Sequence, residues 1–318
     1  NKRLKLLVKK KFNNVLVVLG GNSGERAVSL ESGRACIKAL KKKGYKVKIF
    51  DPKIKNFNLI NKKNIDVIFN ALHGKDGEDG VAQSYFEYLK IPYTHSGVIS
   101  SYNSMNKIIS KEIFKKNNIK TPKFISIKKS ELKKNIIQKE LSFNKIRYPI
   151  VLKPINEGSS LGVEVCKDQK KLLTLINKLF KKYDELILEE YIGGQEVQVA
   201  VINGKPVGAI ELIPRRLFYD YKAKYTKKAK TKHIMPANLT RQKYKEVLNI
   251  AKKTHKVLNC RGVTRYDFKF YKNNFYILEI NTQPGMTSLS LVPEIASYEG
   301  INFENLVEKI LLDASINK

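Results

Sequence analysis

No apolar run in this 318-residue chain approaches the roughly 20 residues of a membrane span, and Leu6-Leu7-Val8 is too short for a signal-peptide core. A cytoplasmic protein with no membrane partner is expected. Cysteine is scarce: Cys36, Cys166 and Cys260 are an odd number without CxxC spacing. They give no sign of a disulfide framework or a structural zinc site and are expected to be reduced packing residues. Two phosphate-binding signatures are missing, since neither GxGxxG nor GxxxxGK[ST] occurs, which weakens dinucleotide and P-loop readings. Acid is also in deficit, with 29 Asp and Glu against 61 Lys and Arg and a net charge of +32. Such an excess suits nucleic acid or an anionic surface. Yet no RNP-like aromatic signature, zinc-finger spacing or basic heptad accompanies it. The lysines are scattered with abundant Ile and Asn, as a genome-wide codon bias would scatter them. A basic nucleic-acid-binding protein is the non-enzymatic alternative; no specific nucleic acid is expected. Residues Asn1 to Asn14 carry six Lys or Arg and no acid and read as a solvated extension.

What is present is a chain long enough for two or three α/β domains, with an ordinary hydrophobic fraction of 42%. Val15 to Leu19 reads as a buried strand, Gly20 to Gly24 as a loop, and Leu30, Gly33, Ile37 and Leu40 recur at helical spacing. Strands at Lys46 to Phe50 and Ile65 to Leu72 complete an open parallel sheet. Its ligand side lies beyond the strand carboxyl ends, at Gly20 to Arg26 and His73-Gly74. A boundary is expected near Ser104 to Lys107. Beyond it, strands Tyr148 to Lys153 and Val163 to Val165 flank Lys153-Pro-Ile-Asn-Glu157-Gly158-Ser159-Ser160-Leu-Gly162. A hairpin with so small a tip brings backbone N–H groups and two hydroxyls against an anion, with Lys153 as a point charge. A helix from Gln169 to Lys182 and strands at Leu186 to Tyr191, Glu196 to Ile202 and Val207 to Ile213 follow. The segment Pro214 to Lys232 holds eight Lys or Arg against one acid, with Phe218, Tyr219, Tyr221 and Tyr225, and reads as a lid over a polyphosphate.

Two aromatic-rich runs then flank Lys272-Asn273-Asn274. A three-residue loop there sets Asp267 opposite Glu279 and Arg265 opposite Asn281. Alternation puts Glu279 and Asn281 on one face. Two carboxylates and an amide in an otherwise apolar strand pair suit Mg²⁺, with a guanidinium at the edge.

Taken in order, GGNSGERAVSL, ALHGKDGEDG, PYTHSGV, LKPINEGSSLGV, FYDYKAKY and EINTQPGMTSLSLVP resemble the D-alanine–D-alanine ligase family of ATP-grasp enzymes, from Val15 to about Asp313. The resemblance implies an α/β, three-domain ATP-grasp architecture: an amino-terminal open-sheet domain (1–106), a middle subdomain (107–192) and a carboxyl-terminal domain (193–318). ATP would lie between the middle and carboxyl-terminal sheets. It implies ligation of two D-alanines through a D-alanyl phosphate for peptidoglycan precursor synthesis, two Mg²⁺ ions with Mn²⁺ able to substitute, and a homodimer. By resemblance, Lys107, Lys153 and the lid's Lys224 contact ATP phosphates beside the loop Glu157, Gly158, Ser159 and Ser160. Glu189 and the backbone near Ile192 hold adenine, and Glu196 holds ribose. Asp267, Glu279 and Asn281 would bind metal, and Arg265 and the Gly285 N–H would stabilise an oxyanion. Glu25, with His73 nearby, would take the first D-alanine's ammonium; Ser290 and Leu291 would take the second's carboxylate. Glu25, Ser159 and Tyr225 match a hydrogen-bonded triad tying the first domain to the lid. The chain departs from the family at Leu289, where many members carry histidine, at Glu190, where some carry lysine, and at Gln283, a frequent serine. A D-alanine–D-lactate or D-serine ligase, or another ATP-grasp carboxylate-amine ligase, is the enzymatic alternative.

Overall fold

The computed structural model describes residues 10–131, 134–213 and 231–316. Three sheets organise it. Strands β1 (Asn14–Val18), β2 (Lys46–Phe50) and β3 (Val67–Asn70) form a parallel sheet in the order β2-β1-β3. Helix α1 (Arg26–Lys42) makes the crossover from β1 to β2, and α2 (Val81–Leu89) follows β3. The carboxyl ends of β1 and β3 thus carry the glycine loop and the His73 loop side by side.

Helices α3 (Val98–Met105) and α4 (Lys107–Lys116) lead to a four-stranded antiparallel sheet. Its strands are β4 (Phe124–Lys128), β5 (Ile150–Pro154), β6 (Glu164–Cys166) and β7 (Glu185–Glu190), ordered β4-β7-β5-β6. Helices α5 (Lys134–Phe143) and α6 (Gln169–Leu179) belong to this unit. Its core includes Leu141, Ile150, Leu152, Leu172, Ile176 and Leu188. The third sheet, β10-β9-β8-β11-β12, contains β8 (Gln195–Ile202), β9 (Lys205–Ile213), β10 (Lys232–Ile234), β11 (Val263–Tyr271) and β12 (Asn274–Asn281). Helix α7 (Arg241–Val257) covers one face. Helices α8 (Leu291–Tyr298) and α9 (Phe303–Leu312) cover the other, where a single core joins Val15, Val17, Phe69 and Leu40 to Ala200, Ile210, Ile295 and Leu306. The end of the chain therefore seals the beginning.

Two expectations change. Residues 1–9 of the basic stretch expected to be solvated lie outside the described residues, and its end is not solvated: Phe12 is buried in that shared core, and the Asn13 and Asn14 N–H groups each donate to Asp66 at 2.8 Å. The hairpin pairs as expected, Arg265 with Asn281 and Asp267 with Glu279, but by a different route. Its turn has two residues, Lys272 and Asn273, both left-handed at φ 44° and 64°, the turn that matches strand twist. The ladder then shifts by one between Asp267 and Phe268, where Leu278 is the extra residue of a bulge. A shorter turn and one inserted residue cancel.

Candidate active site

The elements that carry polar candidates end in a common cleft. Several helices have their first N–H groups capped by the side chain of the residue before them, as Asn106, Asp168, Thr240 and Asn302 do for α4, α6, α7 and α9. Glu25 and Ser290, which precede α1 and α8, make no such cap. The Glu25 carboxylate instead reaches across to the β5–β6 loop, where Ser159 Oγ donates to Glu25 Oε1. Gly158 permits that approach, since a Cβ there would stand 2.8 Å from Glu25 Oε2. Ser159 and Ser160 are both left-handed, at φ 50° and 60°, a costly conformation for residues with a Cβ and one typical of sites. Two members of the expected triad therefore meet; the third, Tyr225, lies with Lys224 and most of the expected lid outside the described residues.

Around this contact Glu25, Glu78, Ser104, Lys107, Glu157, Arg265, Glu279 and Asn281 line one pocket. Arg265 grips Asp267 with two hydrogen bonds, Nε to Oδ1 at 2.7 Å and Nη2 to Oδ2 at 2.9 Å. The guanidinium thus belongs first to a carboxylate two residues along its own strand. Glu279 is partly open and stands 4.0 Å from Lys107 Nζ. Asn281 Oδ1 accepts from the Gln283 N–H at 2.8 Å. Glu78, which motif reading passed over, is buried here. Burial and then the neighbouring Glu25 push its carboxyl well above the usual carboxylate range. Its signal lay in ALHGKDGEDG, whose first acid after the turn points inward.

A second part of the cleft opens between the two antiparallel sheets. Lys153, Ser160, Glu189, Ile192 and Glu196 line it with Asp267, Lys269 and Glu279. Lys153 Nζ lies 2.7 Å from Glu189 Oε2, and Lys111 Nζ lies 3.1 Å from Glu189 Oε1. Burial disfavours charge on all these lysines. Glu189 and Glu279 nevertheless hold Lys153 above its ordinary value, while Lys107 falls below its own and Lys111 falls to about 8. Burial alone would raise Glu189; the two lysines outweigh it and keep it low. Lys107 Nζ also donates to the Glu157 carbonyl at 2.6 Å, tying α4 to the loop. Glu196 pairs with Lys269 at 3.1 Å. Lys111 had a legible signal, four residues after Lys107 on one helix face.

His73 is buried, with Nε2 3.3 Å from Ser32 Oγ, and burial pushes its pKa down to about 4, so the imidazole is neutral. Gln283, one of the departures from the family pattern, fills the seam between β3 and β12. Its Oε1 accepts from Asn70 Nδ2 at 2.8 Å and its Nε2 donates to the Leu72 carbonyl. Gly285 packs against the Ser290 hydroxyl, which accepts from the Thr287 N–H at 2.9 Å, and Leu291 is the first residue of α8. The helix N-terminus at Ser290 and Leu291 is the kind of place that receives a carboxylate.

The chain matches a sequence profile described as "D-ala D-ala ligase C-terminus" over residues 113–312, more than half its length, and one described as "D-ala D-ala ligase N-terminus" over residues 50–96. It is 52% identical to the D-alanine–D-alanine ligase of Pelagibacter ubique over 304 residues, covering 96% of this chain and 99% of that one. Among solved structures it is similar to the D-alanine–D-alanine ligase of Bacillus anthracis, with TM-score 0.84, 34% identity and coverage of 95% and 97%. The same organism's ligase complexed with ATP gives TM-score 0.82 at 30% identity, again covering 95% and 97%. On sequence, on length and on the ATP-grasp arrangement of its sheets, the chain belongs to the D-alanine–D-alanine ligase family.

Proposed function

We propose that the protein joins two D-alanine molecules into D-alanyl-D-alanine with conversion of ATP to ADP and phosphate, for peptidoglycan precursor synthesis. One observation carries the reading: a cleft whose lysine-bearing wall faces the Asp267, Glu279 and Asn281 hairpin and ends at the Glu25–Ser159 contact. ATP would lie between the two antiparallel sheets, with adenine at Glu189 and Ile192 and ribose at Glu196. Its phosphates would meet Lys107, Lys153 and the Glu157 to Ser160 loop, with Lys224 added by the lid. The first D-alanine's ammonium would rest on Glu25, beside the neutral His73.

A carboxylate is a poor electrophile until one oxygen becomes a leaving group. Its oxygen attacks the γ-phosphorus, the bond to the bridging oxygen breaks, and ADP departs. The second D-alanine, its carboxylate at Ser290 and Leu291, attacks the acyl carbon with its free amine and loses a proton. Arg265 and the Gly285 N–H hold the oxyanion until the C–O bond breaks and phosphate leaves. A closed lid carrying Tyr225 would keep water from the acyl phosphate.

The hairpin fits divalent metal. Asp267 and Glu279 oppose each other, Asn281 adds an amide oxygen, and carboxylates outnumber cations in the lining. With two carboxylates and one amide from the protein, an ion there would draw its other ligands from phosphates and water. Two Mg²⁺ ions, or Mn²⁺ in their place, would spread the charge of the transferring phosphoryl group.

A homodimer in the cytoplasm completes the reading. Among the described residues no helix is long and apolar enough to cross a membrane, all three cysteines are free, and Ile54, Val81 and Tyr85 are exposed. Phosphate release from ATP with D-alanine as sole amino acid tests the activity. D-alanine-dependent release with D-alanyl-D-alanine as product is expected; none in the presence of Mg²⁺ would overturn it.

A further inference from the structure

Lys111 is among the largest fully buried side chains of the protein, at 0% exposure, yet it lines neither part of the cleft. In this structure it is enclosed by protein, away from the cleft surface. Its ammonium stands where three structural units meet. On the β7 side it pairs with Glu189 at 3.1 Å. Towards the segment entering β4 it donates to Thr121 Oγ1 at 2.7 Å, and it lies 5.8 Å from the centre of the Phe124 ring. Thr121 Oγ1 in turn donates to the Ile277 carbonyl of β12 at 2.9 Å. One side chain on α4 thus connects both sheets that form the walls of the cleft.

The charge count gives this burial a consequence. Lys111, Glu189 and Lys153 together carry one net positive charge, and only Lys153 and Glu189 line the cleft. Without Lys111, Glu189 would neutralise Lys153 alone, and the wall would lose the charge that an anion needs. Glu189 faces one lysine from each oxygen, Oε2 hydrogen-bonded to Lys153 and Oε1 in an ion contact with Lys111, which leaves Lys153 less tightly held than in a private pair.

We propose that Lys111 is a positioning residue for the nucleotide, balancing and orienting Glu189 so that Lys153 keeps its positive charge available to the phosphates. Lys111 acts through Glu189, and the neighbouring Lys107 supplies its own charge independently from the same helix. A fully desolvated lysine is costly unless paired, and a carboxylate left buried with one partner too few is costly in its turn. The inference rests on the reading of the cleft as an ATP site.

Steady-state kinetics with ATP varied at saturating D-alanine test it. Lys111→Met should raise KM for ATP about tenfold or more, with kcat and KM for D-alanine changing less than about threefold. Lys111→Arg, which keeps the pair, should stay within about threefold of the parent. The double variant Lys111→Met/Glu189→Gln removes both buried charges and leaves Lys153 positive, so its KM for ATP should fall back at least about threefold from that of Lys111→Met. An unchanged KM for ATP in folded Lys111→Met would overturn the proposal. So would a double variant that recovers nothing, or kinetics in which kcat alone falls. If Lys111→Met does not fold, by circular dichroism, the double variant decides by its ATP KM against the parent: more than about thirtyfold above it sinks the proposal. Lys153→Ala separates the two readings. An unchanged KM for ATP there removes the ATP assignment of the cleft, whereas a raised one with a normal Lys111→Met removes only the role of Lys111.

Discussion

The two halves of the cleft handle carboxylates in opposite ways. In the wall formed by β5 and β7, one carboxylate, Glu189, is enclosed between two lysines, and its charge is more than balanced. In the floor around the hairpin, Glu25, Glu78, Asp267 and Glu279 share Arg265 and Lys107. Burial acts on Glu189 and Glu78 alike, yet the first is held below the usual carboxylate range and the second is driven well above it. The difference lies in the neighbours and not in the depth. A wall with surplus positive charge suits an anion such as phosphate, and a floor with surplus acid suits cations. A polyphosphate carrying divalent metal needs both.

The largest effect should come from the floor. Glu279→Ala should lower kcat on the order of 10³-fold or more, because a metal carboxylate contributes several kcal/mol to phosphoryl transfer. ADP release followed by a coupled assay checks this, and near-normal turnover would break the contrast at its centre. In the wall, Glu189→Gln should destabilise the fold by about 3 kcal/mol, since two buried lysines lose their counterion. Thermal melting at neutral pH reads it. The smallest change, in the floor, should have the opposite sign. Glu78 binds a proton more tightly folded than unfolded, so it opposes folding as pH rises above 4.5 towards its folded value. Glu78→Gln should therefore stabilise the protein by on the order of 1 kcal/mol at pH 8, with little gain at pH 4. Glu189 runs the other way: its contribution is present above 4.5 and is lost as pH falls through its lowered folded value. Equal responses of Glu78→Gln and Glu189→Gln to pH would show that burial alone governs both.

Much of this is legible in the sequence. The β5–β6 hairpin, the helix after the Gly162 loop and the crossover from β1 to β2 follow from apolar period and glycine placement. The pairing of the β11–β12 hairpin is legible in the sequence but its cause is not, because turn length and bulge are set by local left-handed backbone that a run of Lys-Asn-Asn does not specify. The burial of Phe12 was hidden by its basic neighbours. Spacing and motif position single out Lys111 and Glu78 without showing that they are buried, and Gln283 looks like a minor departure rather than the bridge between β3 and β12.

The sequence by itself determined the family, the element types and the set of chemically able residues, because those depend on identity and on spacing along one strand, helix or loop. Only the tertiary structure decided which charges are paired, which carboxylate is low and which is high, and which lysine reaches the cleft. Those properties arise from groups distant in sequence, such as Glu25 with Ser159 and Lys111 with Glu189, brought into a medium where water no longer screens them.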